Sequence, residues 1–280
     1  MKRVLIPIDF SEDSLNAMKY GIAMANHLNA NVRVMHVKTG LEYAPVFAKN
    51  QLEYKLNKEV DSWMQDLQKT FSDDYFVPGG KFDYKIREGN VVNEIANQAK
   101  YDDSSLIVVG SHGESGFQSR FIGSNAYRLV AHSPCPILVV NKGMQWEHGV
   151  RKVVVPIDFS KASRKKIPIV TGVSKSFNAK VYLVGLRQSK FKFLLDRVNL
   201  FIRQVERYMV NNADLTVEKH VLFGKKLVQQ IIDYTEEVNG DLVTVHVHHS
   251  SNPLSNLFRP FANELINNSS KPVLVIPTKD

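Results

Sequence analysis

One cysteine, Cys135, stands in 280 residues, so no intrachain disulfide can form. The fold must be held by its core, and a reducing compartment, the cytoplasm, is the expected location. No run of about 18 apolar residues occurs, so no transmembrane helix and no membrane partner are expected. The opening MKRVLIPIDF carries two basic residues, but Pro7 interrupts its apolar stretch and Asp9 ends it. It reads as a buried strand and not as a signal peptide. No GxxxxGK sequence followed by Ser or Thr is present, which excludes a Walker-type phosphate loop. No paired carboxylates and no Ser-His-Asp order mark a catalytic centre.

What is present is ordinary for a globular chain: 44% hydrophobic and 23% charged residues, enough for about two domains. The formal charge of +8 raises the question of nucleic acid. The excess is spread over many helices. Its densest knot, Lys161, Arg164, Lys165 and Lys166, has no interleaved aromatics, so it reads as a solvated helix face and nucleic acid is not expected.

An internal repeat organises the chain. Val4-Leu5-Ile6-Pro7-Ile8-Asp9-Phe10-Ser11 returns as Val153-Val154-Val155-Pro156-Ile157-Asp158-Phe159-Ser160, with six of eight positions identical. Pro136–Val140 returns as Pro272–Ile276. Two domains are expected, 1–143 and 150–280, joined by a short segment and closely packed.

Strands and helices alternate within each half. Strands are expected at 3–8, 32–37, 82–87, 106–109 and 136–140, and again at 152–157, 180–186, 216–222, 242–247 and 272–276. Ser11 reads as a helix N-cap with Glu12 and Asp13 in the first turn, where the helix dipole favours acids. Leu52, Leu56, Val60, Trp63 and Leu67 mark one face of a long helix. Its counterpart carries Phe191, Leu194, Leu195, Val198, Ile202, Val205 and Met209. Pro168 is expected to kink the first helix of the second half. Such alternation implies a parallel sheet covered on both faces.

The stretch richest in chemistry is Val109-Gly110-Ser111-His112-Gly113, then nine residues, then Gly123-Ser124-Asn125. It leaves a strand and closes on a helix start. Glycines let backbone amides approach phosphate oxygens, and a helix N-terminus attracts anions.

This G-x-x-G, nine-residue, G-S pattern resembles the nucleotide motif of the universal stress protein family. The opening Pro-Ile-Asp-Phe-Ser and the closing Pro-Ile-Leu-Val-Val are similar to that family's first and last strands. The resemblance covers nearly the whole chain, twice. It implies an α/β fold of two tandem, doubly wound, five-stranded parallel-sheet domains, strand order 3-2-1-4-5, like the adenine nucleotide α-hydrolases. In that order the winding reverses between the first and fourth strands, and ligands bind in the crevice there.

The resemblance further implies ATP, with Mg2+ as an accompanying ion, as ligand. Asp9 would hold the adenosine end, Val37 the adenine edge through its backbone, and Val109 the base or ribose. Gly110, His112, Gly113, Gly123 and Ser124 would cradle the phosphates, with Asn125 as a further donor. His112 stands where the family often has arginine, and Arg120 could supply the missing charge. A simple capping role for Asp9 stays open, since Asp158 repeats it in a half without the motif.

In that second half His246, His249, Arg259 and Pro260 take the places of Gly110, Gly113, Gly123 and Ser124. No ATP is expected there. The half is expected to pair with the first through the last strands, giving an intrachain pseudo-dimer, with a homodimer of chains also open. His246 and His248, with His220 brought near, form the alternative of a metal site. The functional expectation is a nucleotide-binding stress-response sensor or adaptor, not an enzyme, or at most a slow ATPase. The alternatives are a nucleotide-independent interaction module, and an enzyme of the α-hydrolase group. The latter would need an SGGxDS-like loop, where this chain has Asp9-Phe10-Ser11-Glu12-Asp13-Ser14.

Overall fold

The computed structural model describes residues 2–39, 46–111, 123–141, 143–144, 149–187, 190–248 and 260–278, with the backbone alone for 46–57 and 248. The first half runs β1 (Arg3–Ile8), α1 (Glu12–Leu28), β2 (Asn31–Lys38), α2 (Val46–Phe71), β3 (Phe82–Glu88), α3 (Val91–Tyr101), β4 (Leu106–Gly110), α4 (Ser124–His132) and β5 (Ile137–Val140). The second runs β6 (Lys152–Ile157), α5 (Lys161–Lys165), α6 (Ile167–Ser176), β7 (Lys180–Arg187), α7 (Lys192–Ala213), β8 (Val217–Phe223), α8 (Leu227–Glu237), β9 (Leu242–His248), α9 (Pro260–Asn268) and β10 (Val273–Thr278).

The described strands form one ten-stranded sheet in the order β3-β2-β1-β4-β5-β10-β9-β6-β7-β8. The first half therefore has the expected order 3-2-1-4-5, and the second half mirrors it. Within each half the strands are parallel. The halves join antiparallel where β5 meets β10, the seam expected from the last strands. Val139, Leu138 and Ile137 lie opposite Val273, Leu274 and Val275. Nine-tenths or more of each of these side chains is buried, so the seam is core on both faces.

One face of the sheet is covered by α1, α2, α6 and α7, the other by α3, α4, α8 and α9. Strands buried on both faces need apolar side chains at successive positions, which is why they read as continuous Val, Ile and Leu runs. Across the seam, α1 touches α6 through the rings of His27 and Phe177, stacked at 4.1 Å. The linker is tied to both halves: Asn16 Nδ2 donates to the Met144 carbonyl at 2.6 Å, and Asn141 Nδ2 to the Ile266 and Ser269 carbonyls at 2.8 and 2.9 Å.

Three sequence expectations change in detail. In α2, Trp63 is 46% exposed and its neighbour Met64 points inward, because the buried stripe runs through Val60 and Met64; Leu52 and Leu56 lie outside the described side chains. In α7, Phe191 is the exposed N-cap and Phe201 takes a core position. In the basic knot, Lys166 is 1% exposed and not solvated at all. The kink expected at Pro168 is a division into two helices, α5 and α6, that meet at Lys166.

Candidate functional site

The crevice of the first half begins where β1 and β4 part. Their ladder holds only Val4–Leu106 and Leu5–Ile107. Pro7 follows two residues later. A proline lacks the ladder donor and is rare inside a central strand, so it marks the point where one neighbour has already left. Beyond it lie Ile8 and Asp9 on one side and Val109 and Gly110 on the other.

Asp9 turns the chain into α1. Its Oδ1 accepts from the Ser11 amide at 3.1 Å and from the Ser11 hydroxyl at 2.5 Å. Ser11 in turn caps the helix through the Ser14 amide at 3.2 Å, and the Asp9 amide donates to Ser14 Oγ at 3.3 Å. Asp158, Ser160 and Ser163 repeat the network at 2.8, 3.1 and 3.0 Å. The turn therefore needs this aspartate in both halves, whatever else Asp9 does.

Between them, Phe10 has φ of 64°, a left-handed conformation that Phe159 does not share. It carries the Phe10 ring onto His36 and Trp63, with centroids 4.8 and 5.2 Å away. These rings lie on the α1/α2 face of the sheet. Val37 and Val109 lie on the opposite face, buried at 9% and 6% exposure. The strand ends thus present an aromatic wall to one side and an aliphatic wall to the other.

Gly110 has a packing reason of its own. A Cβ there would stand 3.0 Å from the Asp13 carbonyl oxygen and 3.1 Å from its carbon, inside the first turn of α1. Ser111 is buried; its amide donates to the Val140 carbonyl at 2.9 Å, and its own carbonyl accepts from the Gly123 amide at 2.7 Å. That bond fixes the start of α4 against the end of β4, across the segment that includes His112, Gly113 and Arg120, which lie outside the described residues.

Gly123 is the N-cap of α4 and supplies no side-chain cap. Ser124 and Asn125 follow, both exposed, in the turn whose amides have no intrahelical acceptor. With the Gly123 amide already bonded, the amides left without an intrahelical acceptor at this helix start are those of Ser124, Asn125 and Ala126. A dipole end with exposed amides, a hydroxyl and an amide side chain favours a negative group.

The matched place in the second half is built differently. β6 and β9 part after the same two pairs, Val153–Leu242 and Val154–Val243, and Pro156 again follows. Here Lys166 replaces the buried Ala17, and its Nζ donates to the Pro156 carbonyl at 2.7 Å and more weakly to Thr244 at 3.4 Å. Burial pushes this ammonium down to about 7, with Asp158 opposing the shift. His246 stands half-buried at the position of Gly110. Pro260, which opens α9, has no N–H to offer.

His220 does not come near His246. It sits on β8, separated from β9 by β6 and β7, and stacks on Tyr234 at 4.2 Å. No group of three or more His, Cys, Asp or Glu able to hold a metal ion occurs among the described residues. The His248 side chain and His249 lie outside them. Sequence reasoning missed Lys166 as a core residue; its match to Ala17 in the repeat was the available signal.

Among the described residues, no helix is long and apolar enough to cross a membrane. The model of the universal stress protein family matches residues 1–141 and again 149–277. A universal stress protein of Methanocaldococcus jannaschii, MJ0531, is 31% identical over 143 residues, covering 50% of this chain and 82% of its own. YxiE of Bacillus subtilis, also a universal stress protein, is 27% identical over 148 residues, covering 49% and 97%. A solved universal stress protein from Archaeoglobus fulgidus superposes over 98% of both chains with a TM-score of 0.74 at 19% identity, a likeness of fold.

Proposed function

The chain belongs to the universal stress protein family, and from that membership we propose that its first half binds an adenine nucleotide while its second half serves as the pairing partner. The observation that carries this reading is the start of α4. A helix N-terminus without a side-chain cap, at the parting of β1 and β4, presents exposed Ser124 and Asn125. In open α/β sheets that is where a phosphate-bearing ligand binds.

In this reading Ser124 and Asn125 donate to the phosphates, with His112 and Gly113 from the preceding segment. Gly110 and Gly123 contribute by lacking side chains. Val37 and Val109 border the base and ribose, and Asp9 faces the adenosine end while it holds the Ser11 turn. ATP would supply the anionic phosphates and the base; no residue is assigned to its hydrolysis. Mg2+ takes hard oxygen ligands along with phosphates and water. The described crevice residues add no carboxylate cluster for it, so the proposal is for the nucleotide alone.

The second half supports the asymmetry. The Lys166 side chain occupies the parting of β6 and β9, and His246 and Pro260 replace a glycine and a helix-start donor. The chain would act as a stress-response sensor or adaptor whose nucleotide state a partner reads, alone or as a homodimer. Its one cysteine, Cys135, is buried, and burial pushes its thiol up to about 12, so it is an inert core group. A cytoplasmic location fits.

Calorimetry of the whole chain with ATP tests the proposal. About one site per chain is expected. Two sites would overturn the asymmetry, and none would overturn the nucleotide reading. In the latter case the second reading takes over, a nucleotide-independent interaction module, which the altered second half favours.

A further inference from the structure

The repeat allows a direct comparison of one corner in its two copies. In the first half β3 ends in Glu88-Gly89-Asn90; Gly89 has φ of 138° and its amide donates to the Lys38 carbonyl at 3.1 Å. Asn90 then caps α3 through its side chain, at 3.1 Å from the Asn93 amide. In the second half β8 ends in Phe223-Gly224-Lys225; Gly224 has φ of 122° and its amide donates to the Arg187 carbonyl at 3.2 Å. The turn is the same. The acid has become a phenylalanine that is 52% exposed, and Lys225 stands in the place of Asn90.

Lys226, the N-cap of α8, makes no side-chain cap bond. After the adjacent strand β7, whose Arg187 pairs with Phe223, α7 opens on the other face of the sheet with Lys190-Phe191-Lys192-Phe193, where Phe191 is 73% and Phe193 66% exposed, again with no cap bond and no acid in the first turn. A lysine at a helix start opposes the helix dipole, and an exposed phenylalanine forgoes burial. Two helix starts at the ends of adjacent strands thus share the same departures from local stability rules. Such departures gather where a surface has a task.

Val221, on the same face of β8 as Phe223, and Leu200, further along α7, extend the apolar area. The charge of the corner is of one sign: Lys190, Lys192, Lys225 and Lys226 are all exposed, and Asp196 is the nearest acid on α7 in sequence. A second copy of this chain across a twofold axis would set like charges against each other. Single-stranded nucleic acid would stack on the phenylalanines but gains nothing from Val221 and Leu200. Both the apolar and the cationic parts suit a plane of lipid headgroups, where aromatic rings enter the interface and lysines meet phosphates.

We propose that the corner formed by the ends of β7 and β8 and the starts of α7 and α8 docks on an anionic lipid bilayer, with Phe191, Phe193 and Phe223 as the entering side chains. This attachment is peripheral and needs no spanning helix. It goes beyond the nucleotide reading and does not depend on it.

Co-sedimentation of the whole chain with vesicles tests the proposal. Binding is expected to vesicles of mixed phosphatidylglycerol and phosphatidylcholine at low salt, with little to phosphatidylcholine alone. The substitutions Phe191→Ser, Phe193→Ser and Phe223→Ser together should abolish it. Lys190→Ser with Lys192→Ser should weaken partitioning about 30-fold, since each lysine contributes about 1 kcal/mol near an anionic surface. Replacing both by arginine should preserve it. The altered side chains are exposed, so melting temperature and ATP binding should stay as in the parent. No sedimentation with the mixed vesicles, equal sedimentation with neutral ones, or no effect of the phenylalanine changes would each overturn the proposal. So would oligonucleotide binding, or a doubled mass in light scattering, lost in these variants while vesicles are ignored.

Discussion

Leu138 of β5 lies opposite Leu274 of β10, both fully buried, and each is the other's counterpart in the repeat. A residue paired with its own copy in an antiparallel ladder sits on a local twofold axis. The axis passes through the sheet at this pair and relates the two halves. Both side chains join the core on the α1/α6 face. Leu138→Ala and Leu274→Ala should each destabilise the chain by about 2–5 kcal/mol in denaturant unfolding. The double change should be non-additive, because residues in contact share one cavity. Simple additivity would argue against the seam.

Two glycines separate packing from binding. At Gly110 a Cβ meets the Asp13 backbone, which cannot yield as a flexible side chain would. Gly110→Ala should therefore lower stability by about 1–3 kcal/mol, read as a fall in melting temperature. Gly123→Val should leave melting little changed and abolish ATP binding, since its branched side chain would stand beside the Ser124 and Asn125 donors. Unchanged ATP affinity in Gly123→Val would remove α4 from the site.

Asp9 and Asp158 carry the same turn, so their asparagine variants should behave alike in stability, within about 1 kcal/mol. Asparagine keeps the Oδ1 acceptor that Ser11 and Ser160 need. Only Asp9→Asn should weaken ATP binding, by roughly 10- to 100-fold if the carboxylate accepts from the adenosine. Equal titrations for parent and Asp9→Asn would return that residue to capping alone.

Lys166 makes stability depend on pH. Its folded value lies near 7, below the ordinary 10.5, so between these limits the unfolded chain binds more protons and stability rises with pH. The penalty is complete below about 7 and vanishes above about 10.5. Lys166→Met removes the charge and keeps the length. It should stabilise the chain by on the order of 4–5 kcal/mol at pH 6, with the gain shrinking steadily toward pH 10. A gain independent of pH would mean that folding leaves the proton affinity of this ammonium unchanged, as for a group in water.

Much of this was legible in the residues. The repeat and the strand runs led to a parallel sheet covered on both faces, because strands buried on both faces must be apolar at every position, while the doubly wound order came from the family resemblance that the glycine pattern carries. Pro7 and Pro156 were read only as part of the repeat and of a short apolar run; that each follows the parting of the central strands, where a missing donor is tolerated, came from the ladder itself. Side-chain placement was less legible. Trp63 and Met64 are neighbours in sequence, and helical periodicity alone did not decide which one faced the core. Lys166 looked like surface because lysine seldom lies in a core. Only its alignment with Ala17 hinted otherwise, and the carbonyls of Pro156 and Thr244 that hold it are brought together by the sheet.

The sequence by itself determined the duplication, the alternation of strands and helices in each half and the helix start on which a nucleotide reading rests, because periodicity and backbone-permissive residues act locally. Tertiary structure decided that Gly110 packs against α1, that the Gly123 amide is tied to Ser111, that His220 lies far from His246, and that Leu138 meets Leu274. Each of these depends on which strands become neighbours in the sheet. That ordering arises from the crossover of helices between strands and the burial of both sheet faces, not from any residue's own preference.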